Sequence, residues 1–218
     1  RIGKLRLLVD MAPAGSVPSE GQEVDHTRTE HEIRVTIWNV TNISIFQDFG
    51  ERNDVYVRGK FSSIDYYGNE KHEFMITDTH KFAHTEASFN WRWKYTAVTP
   101  AKECSVELTL MDSDRLSEHD MIYYPKVFSF DQHIMLAEQA LHDGRRPPGP
   151  STETVVFDTW PESQQFERCR CRCLRRTLRI DKIKFAKLRM DVQVVPVDAD
   201  LAPFEKGQYQ QPKDRVTL

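Results

Sequence analysis

From residue 33 onward the chain is written largely in a period of two. Ile33, Val35 and Ile37 alternate with Arg34 and Thr36, and Val106, Leu108 and Leu110 alternate with Glu107 and Thr109. Successive side chains on an extended strand point to opposite faces, so each such run predicts a strand with one face buried. Val55-Tyr56-Val57, FMIT at 74–77, FNWRWKY at 89–95, KVFSF at 126–130, FERCRCRCL at 166–174 and KLRMDVQVV at 187–195 have the same character. Short strands separated by turn-rich segments predict an all-β sandwich. The exception is DQHIMLAEQALHDG, which reads as one helix ended by Gly144 and the breaker run RRPPGP.

The chain has 218 residues, 39% of them hydrophobic and 29% charged, enough to bury a sizeable core. Its formal net charge is −3, so no overall positive field points to nucleic acid. No apolar run approaches the roughly 20 residues of a membrane-spanning helix, so membrane contact is expected from the surface. The opening RIGKLRLLVD has no initiator Met and no leader, and reads as the start of a segment excised from a longer protein. Cys104 stands alone and Cys169, Cys171 and Cys173 alternate along one strand, which is no disulfide framework and fits a reducing cytosol. In that setting the sequons at Asn39 and Asn42 read as coincidence.

Residues 1–32 are expected to hold an upstream strand, Lys4–Asp10, and a polar linker; 33–197 form the domain; 198–218 form a Pro-containing tail. GKLRLLVDMAP at 3–13 echoes AKLRMDVQVVP at 186–196. Either these are two copies of a repeated domain's closing strand, or two edge strands that happen to end alike. Leu188–Val195 is the one expected beside Ile33–Trp38.

The chemistry is concentrated in carboxylates. Asp48 and Asp54 lie six apart around Gly50, between two predicted strands, and Asp112, Asp114 and Asp120 follow the strand SVELTLM directly. Aspartate is common in turns because it bends and caps chain, and either set alone needs no more than that. Five aspartates converging from two loops would repel one another unless neutralised. A hard cation with six to eight oxygen ligands suits them, calcium more readily than magnesium. No catalytic Ser/His/Asp or Cys/His order is recognisable, and His80 and His84 lack a partnering Glu motif, so no enzyme is expected.

These residues also carry a family resemblance. QDFGERNDVYV resembles the first calcium loop of C2 domains, and MDSDRLSEHD is similar to their third loop, with Ser117 as a further oxygen. EIRVTIWNV, NDVYVRG, TDTH at 77–80 and FNWRW at 89–93 resemble the membrane-proximal C2 domains of ferlins, and DLAPFEKGQYQQPKDRV resembles the tail before their transmembrane helix. Tyr123 stands where the family usually has Gly, and Thr159-Trp160-Pro161 is at best a remnant of its Gly-Trp-Trp-Pro element.

The resemblance implies an eight-stranded antiparallel C2 sandwich beginning near Ile33, with a helical or irregular insertion around 131–165. It implies Ca2+ held by Asp48, Asp54, Asp112, Asp114, Asp120 and Ser117, and docking on anionic phospholipid at the cytoplasmic face of a vesicle or plasma membrane. Phe49 and Leu116 sit mid-loop, where they serve either as bilayer-inserting residues or as core, and Arg115 offers a headgroup cation. Arg168, Arg170 and Arg172 share one strand face within a run of ten basic residues from 168 to 189. That face is either a phosphoinositide platform or an edge strand guarded by charge. The implied role is calcium-dependent membrane binding in vesicle fusion, exocytosis or membrane repair, with fusion-machinery proteins as further partners. The alternative is a C2-fold protein-interaction module with minor calcium or lipid binding.

Overall fold

The computed structural model describes residues 28–43, 53–113, 120–158 and 185–197, and the backbone of 207–208. The strand Lys4–Asp10 and the segment 166–174 lie outside them. Two antiparallel sheets pack face to face. The first has the order β11-β5-β1-β10-β9 and the second β3-β2-β6-β7, with β4 also paired to β2 and β8 to β6.

β1 (Thr29–Thr41) is the predicted strand at Ile33 extended at both ends, and it pairs with β5 (Glu86–Thr99) on one side and β10 (Phe185–Pro196) on the other. The slot beside β1 is therefore filled by the strand at the domain's end, as expected. A register shift between Ile37 and Asn39 occurs against both partners: Trp38 is the extra residue against β10, whereas on β5 two residues, Phe89 and Asn90, stand opposite it. One extra residue reverses the alternation, so Ile33, Val35 and Ile37 are buried before it and Val40 after it.

In the second sheet, β2 (Asn53–Asp65) lies between β6 (Ala101–Asp112) and the edge strands β3 (Glu70–Ile76) and β4 (His80–Ala83). Every odd residue of β2 is buried and every even one is partly exposed, the pattern read from Val55 and Val57. β7 (Asp120–Met121) and β8 (Lys126–Ser129) are short additions to β6, and β11 (Gly207–Gln208) adds two residues beside β5.

Helix α1 (Asp131–His142) occupies the predicted position and buries Ile134, Ala137 and Ala140. Their spacing places them on one stripe of a helical surface. The stretch after it departs from the expected irregular insertion. Ser151–Asp158 is an eight-residue strand, β9, paired with β10 from Phe185↔Asp158 to Val192↔Ser151. It was hidden because a sheet-edge strand buries little: only Val155 and Phe157 turn fully inward.

The two sheets are joined around Phe61. Its ring stacks on Tyr95 at 5.1 Å, meets Trp93 edge-on at 5.8 Å and lies parallel to Phe130 at 6.0 Å. Aromatic pairs in such geometry add roughly 0.5–1.5 kcal/mol beyond the area they bury. The polar ends of the two β5 aromatics are satisfied across the sandwich. Trp93 Nε1 donates to the Ile76 carbonyl at 3.3 Å, and Tyr95 Oη, 2.8 Å from Ser63 Oγ, donates to the Lys71 carbonyl at 3.1 Å. Cys104 is a small apolar member of this core, its thiol pushed up to about 12 by burial, which leaves it inert as a nucleophile.

Room for Trp93 comes from Gly59. A Cβ there would stand 3.0 and 3.1 Å from the indole ring and 3.2 Å from Val106. Gly59→Ala is expected to lower stability by about 1–3 kcal/mol, as overpacking does. Urea denaturation measures it, and an unchanged midpoint would show that the ring can withdraw freely.

Candidate functional site

The strand registers bring several connections to one end of the sandwich. β1 ends at Thr41 opposite Glu86, the first residue of β5, and β2 begins at Asn53 opposite Ala83, the last of β4. β6 ends at Asp112 opposite Val55 on one side and Asp120 on the other. The strand ends that bear the connections 42–52, 84–85 and 113–119 are therefore neighbours. β9 ends and β10 begins at the same end, through the pair Asp158↔Phe185, so the link carrying Arg168, Arg170 and Arg172 is rooted there as well.

Of the five aspartates, Asp54, Asp112 and the backbone of Asp120 fall within the described residues, and the structure gathers these three. Asp54 donates its backbone N–H to Asp112 Oδ1 at 2.7 Å, and its carbonyl accepts the Ser113 N–H at 2.8 Å. The two loops are thus clamped at their bases by a pair of bonds between one aspartate and the start of the other loop. Asp54 Oδ1 in turn accepts the Phe82 N–H at 2.9 Å. Asp48, Phe49, Asp114, Arg115, Leu116 and Ser117, like Arg168, Arg170 and Arg172, lie outside the described residues. Among the described residues no group of three His, Cys, Asp or Glu forms a metal cluster.

The donor chemistry at this end fits a hard cation. It consists of carboxylate oxygens, each able to accept about two hydrogen bonds or metal contacts per oxygen. A single N–H on Asp54 Oδ1 therefore does not exhaust the group.

Two features at this end were not visible from the carboxylate spacing. The first is Tyr123, noted in the sequence only as a departure. It is fully buried, packs against Phe157 at 6.4 Å between centroids, and donates its Oη–H to the Asn42 carbonyl at 3.1 Å. Asn42 is where the chain leaves β1 in the left-handed region at φ 60°, a conformation Asn tolerates better than most residues. Tyr123 holds the root of the first loop from below, work that Gly has no side chain to do.

The second is the β3–β4 link. Thr77 exchanges bonds with Val57 in both directions, its N–H to the Val57 carbonyl at 3.0 Å and its Oγ1 from the Val57 N–H at 3.0 Å. Asp78 follows with Oδ1 buried and without a hydrogen-bond partner among the described residues, and burial pushes its carboxyl above the usual range. The TDTH signature thus splices two edge strands onto β2 and delivers His80–Ala83 beside Asp54.

A two-sheet antiparallel sandwich whose closing strand lies beside its opening one, with aspartate-bearing loops clamped together at one end, is a C2 domain. No family model matches the sequence. The chain is 30% identical over 118 residues to Ferlin 2 of Toxoplasma gondii, a match covering 53% of this chain and 8% of that much longer protein. It is a ferlin-like C2 domain. Solved structures similar in shape include human GIVD cytosolic phospholipase A2 in complex with methyl gamma-linolenyl fluorophosphonate (TM-score 0.49, 12% identity, 78% of this chain and 18% of that one). Another is a C2 domain of plant Extended Synaptotagmin 1 (TM-score 0.48, 13% identity, 76% of this chain and 94% of that one).

Tyr123→Phe removes the bond from the buried phenol to the Asn42 carbonyl. The expected loss is about 1 kcal/mol in urea denaturation, with the fold retained. A Tyr123→Phe domain as stable as its parent would mean that water replaces the hydroxyl.

Proposed function

We propose that this domain binds anionic phospholipid membranes when calcium occupies its aspartate loops, at the cytoplasmic face of a vesicle or plasma membrane. Such a domain would serve vesicle fusion, exocytosis or membrane repair. The observation that carries this reading is the clamp between Asp54 and Asp112, which brings the two aspartate-bearing loops to one point.

Asp54 and Asp112 would hold the ion from the strand ends, and Asp48, Asp114, Asp120 and Ser117 from the loops and β7. Bound calcium would supply positive charge and coordination positions that lipid phosphate oxygens can complete. Before binding, several carboxylates at one end would repel anionic headgroups; once they are neutralised, Phe49, Leu116 and Arg115 would meet the bilayer. No catalytic chemistry enters this reading. The hydrogen bonds that Asp54 and Asp112 make to backbone N–H groups fix the carboxylates in advance, which lowers the ordering cost of binding an ion.

Calorimetric titration and thermal melting test the calcium step. Calcium at about 100 times its Kd should add about 2.7 kcal/mol of stability, seen as a raised Tm. Asp54→Asn with Asp112→Asn keeps an acceptor oxygen at each position, so the clamp and fold should persist while the Tm rise disappears. A double variant that responds to calcium like its parent would sink the assignment.

Sedimentation with phosphatidylserine-containing vesicles tests the membrane step. The parent should sediment in calcium and not in EGTA, and Phe49→Ala with Leu116→Ala should weaken it about tenfold, the scale of removing two apolar side chains from partial burial. Binding indifferent to EGTA would overturn the calcium switch.

A further inference from the structure

We propose that Phe82, in β4 just before the two-residue link to β5, is a further bilayer-contacting anchor of this domain, meeting lipid at the same end as the aspartate loops. The inference rests on the membrane reading above and assigns a lipid contact to a short edge strand beside the two aspartate loops.

The first observation is exposure. Phe82 is 65% exposed, yet its neighbour Ala83 is 1% exposed and pairs with Asn53 at the start of β2. The backbone around the ring is held at two points: the Thr85 carbonyl accepts the Ile43 N–H at 2.9 Å, and Asp54 Oδ1 accepts the Phe82 N–H. The ring therefore stands out from a well-anchored stretch of backbone.

The second observation is conformational. Phe82 has φ 58°, in the left-handed region that bulky side chains rarely adopt. Asn or Gly would occupy the position at less cost, and either would be better hydrated. A large aromatic residue here is unfavourable twice over for the isolated domain, through backbone strain and through exposed apolar surface. Both costs find a use if the ring is buried in a second medium.

The third observation is charge and place. Lys81 and His84 flank the ring and are exposed, which suits an anionic headgroup layer rather than an apolar protein pocket. The Phe82 N–H sits on the carboxylate of Asp54, so the ring is tied directly to a proposed ion ligand and shares its approach to the membrane. An aromatic ring beside a cation at the interface depth is a common anchoring pair.

The test uses the 218-residue chain with vesicles of phosphatidylcholine and phosphatidylserine, in calcium chloride or EGTA. Phe82→Asn keeps a residue suited to left-handed backbone and removes the ring; Phe82→Trp keeps an aromatic anchor. Phe82→Asn should melt at or above the parent's Tm, keep the calcium-induced rise without vesicles, and lose about tenfold in vesicle affinity. Phe82→Trp should bind like the parent, with added emission that shifts to the blue only when vesicles and calcium are both present. If Phe82→Asn binds vesicles as the parent does, the ring contacts something other than lipid, and this inference falls while the membrane reading stands. Loss of the calcium-induced Tm rise in Phe82→Asn would place the effect at Asp54 and overturn the anchor. A parent chain that never sediments with vesicles would overturn both.

Discussion

β1 is hydrogen-bonded along both edges, and the geometry of the aspartate end is referenced to the place where it stops. Its partners β5 and β10 run antiparallel to it over nearly its full length, so their near ends are set opposite Thr41. The irregularity at Trp38, an extra residue against β10, lets so long a strand keep its apolar residues inward on both sides of it. A one-residue slip elsewhere in β1 would turn Ile33, Val35 and Ile37 toward solvent, which makes the register steeply preferred. The second sheet is keyed to the first through Phe61, Trp93 and Tyr95, and the closeness of approach depends on Gly59 having no side chain.

On that frame the candidate site is braced by its own backbone. Asp54 is an acceptor through its side chain and carbonyl and a donor through its N–H, linking β2 to both the β6 terminus and the edge strand β4. Tyr123 adds a fixed point under Asn42. Carboxylates restrained in this way have little conformational entropy left to lose on meeting a cation.

The opposite end is closed differently. α1 packs against β10 and β6, and Phe130 enters it with its N–H on the Cys104 carbonyl. At the β2–β3 turn, Asp65 accepts both the side-chain and backbone N–H of Asn69 at 2.8 Å and the Arg28 guanidinium at 2.6 Å, which holds its carboxyl at about 2. One end of the sandwich is thus sealed by helix and paired charge, while the other carries the aspartates and the exposed Phe82.

Alternation alone was enough to locate β1, β2, β6 and β10, because strands buried on one face must write that face into every second residue. The helix was legible from its length and its Gly144 and proline stop. The clustering of aspartates after strand ends, and the likeness of those loops to ferlin C2 domains, were likewise legible residue by residue. β9 was not, since an edge strand with two inward residues lacks a pattern strong enough to separate it from a loop. Nor was the role of Tyr123, whose significance lies in reaching Asn42 across 81 residues of chain. Phe82 shows the same limit most clearly: HKFAH is an ordinary string until β2 places it beside Asp54 and the backbone turns left-handed beneath the ring. Local periodicity is a property of neighbours in sequence, and it determined which segments are strands. Which loops meet, and which side chain is left facing outward among them, depends on contacts distant in sequence, and only the packed sandwich decided those.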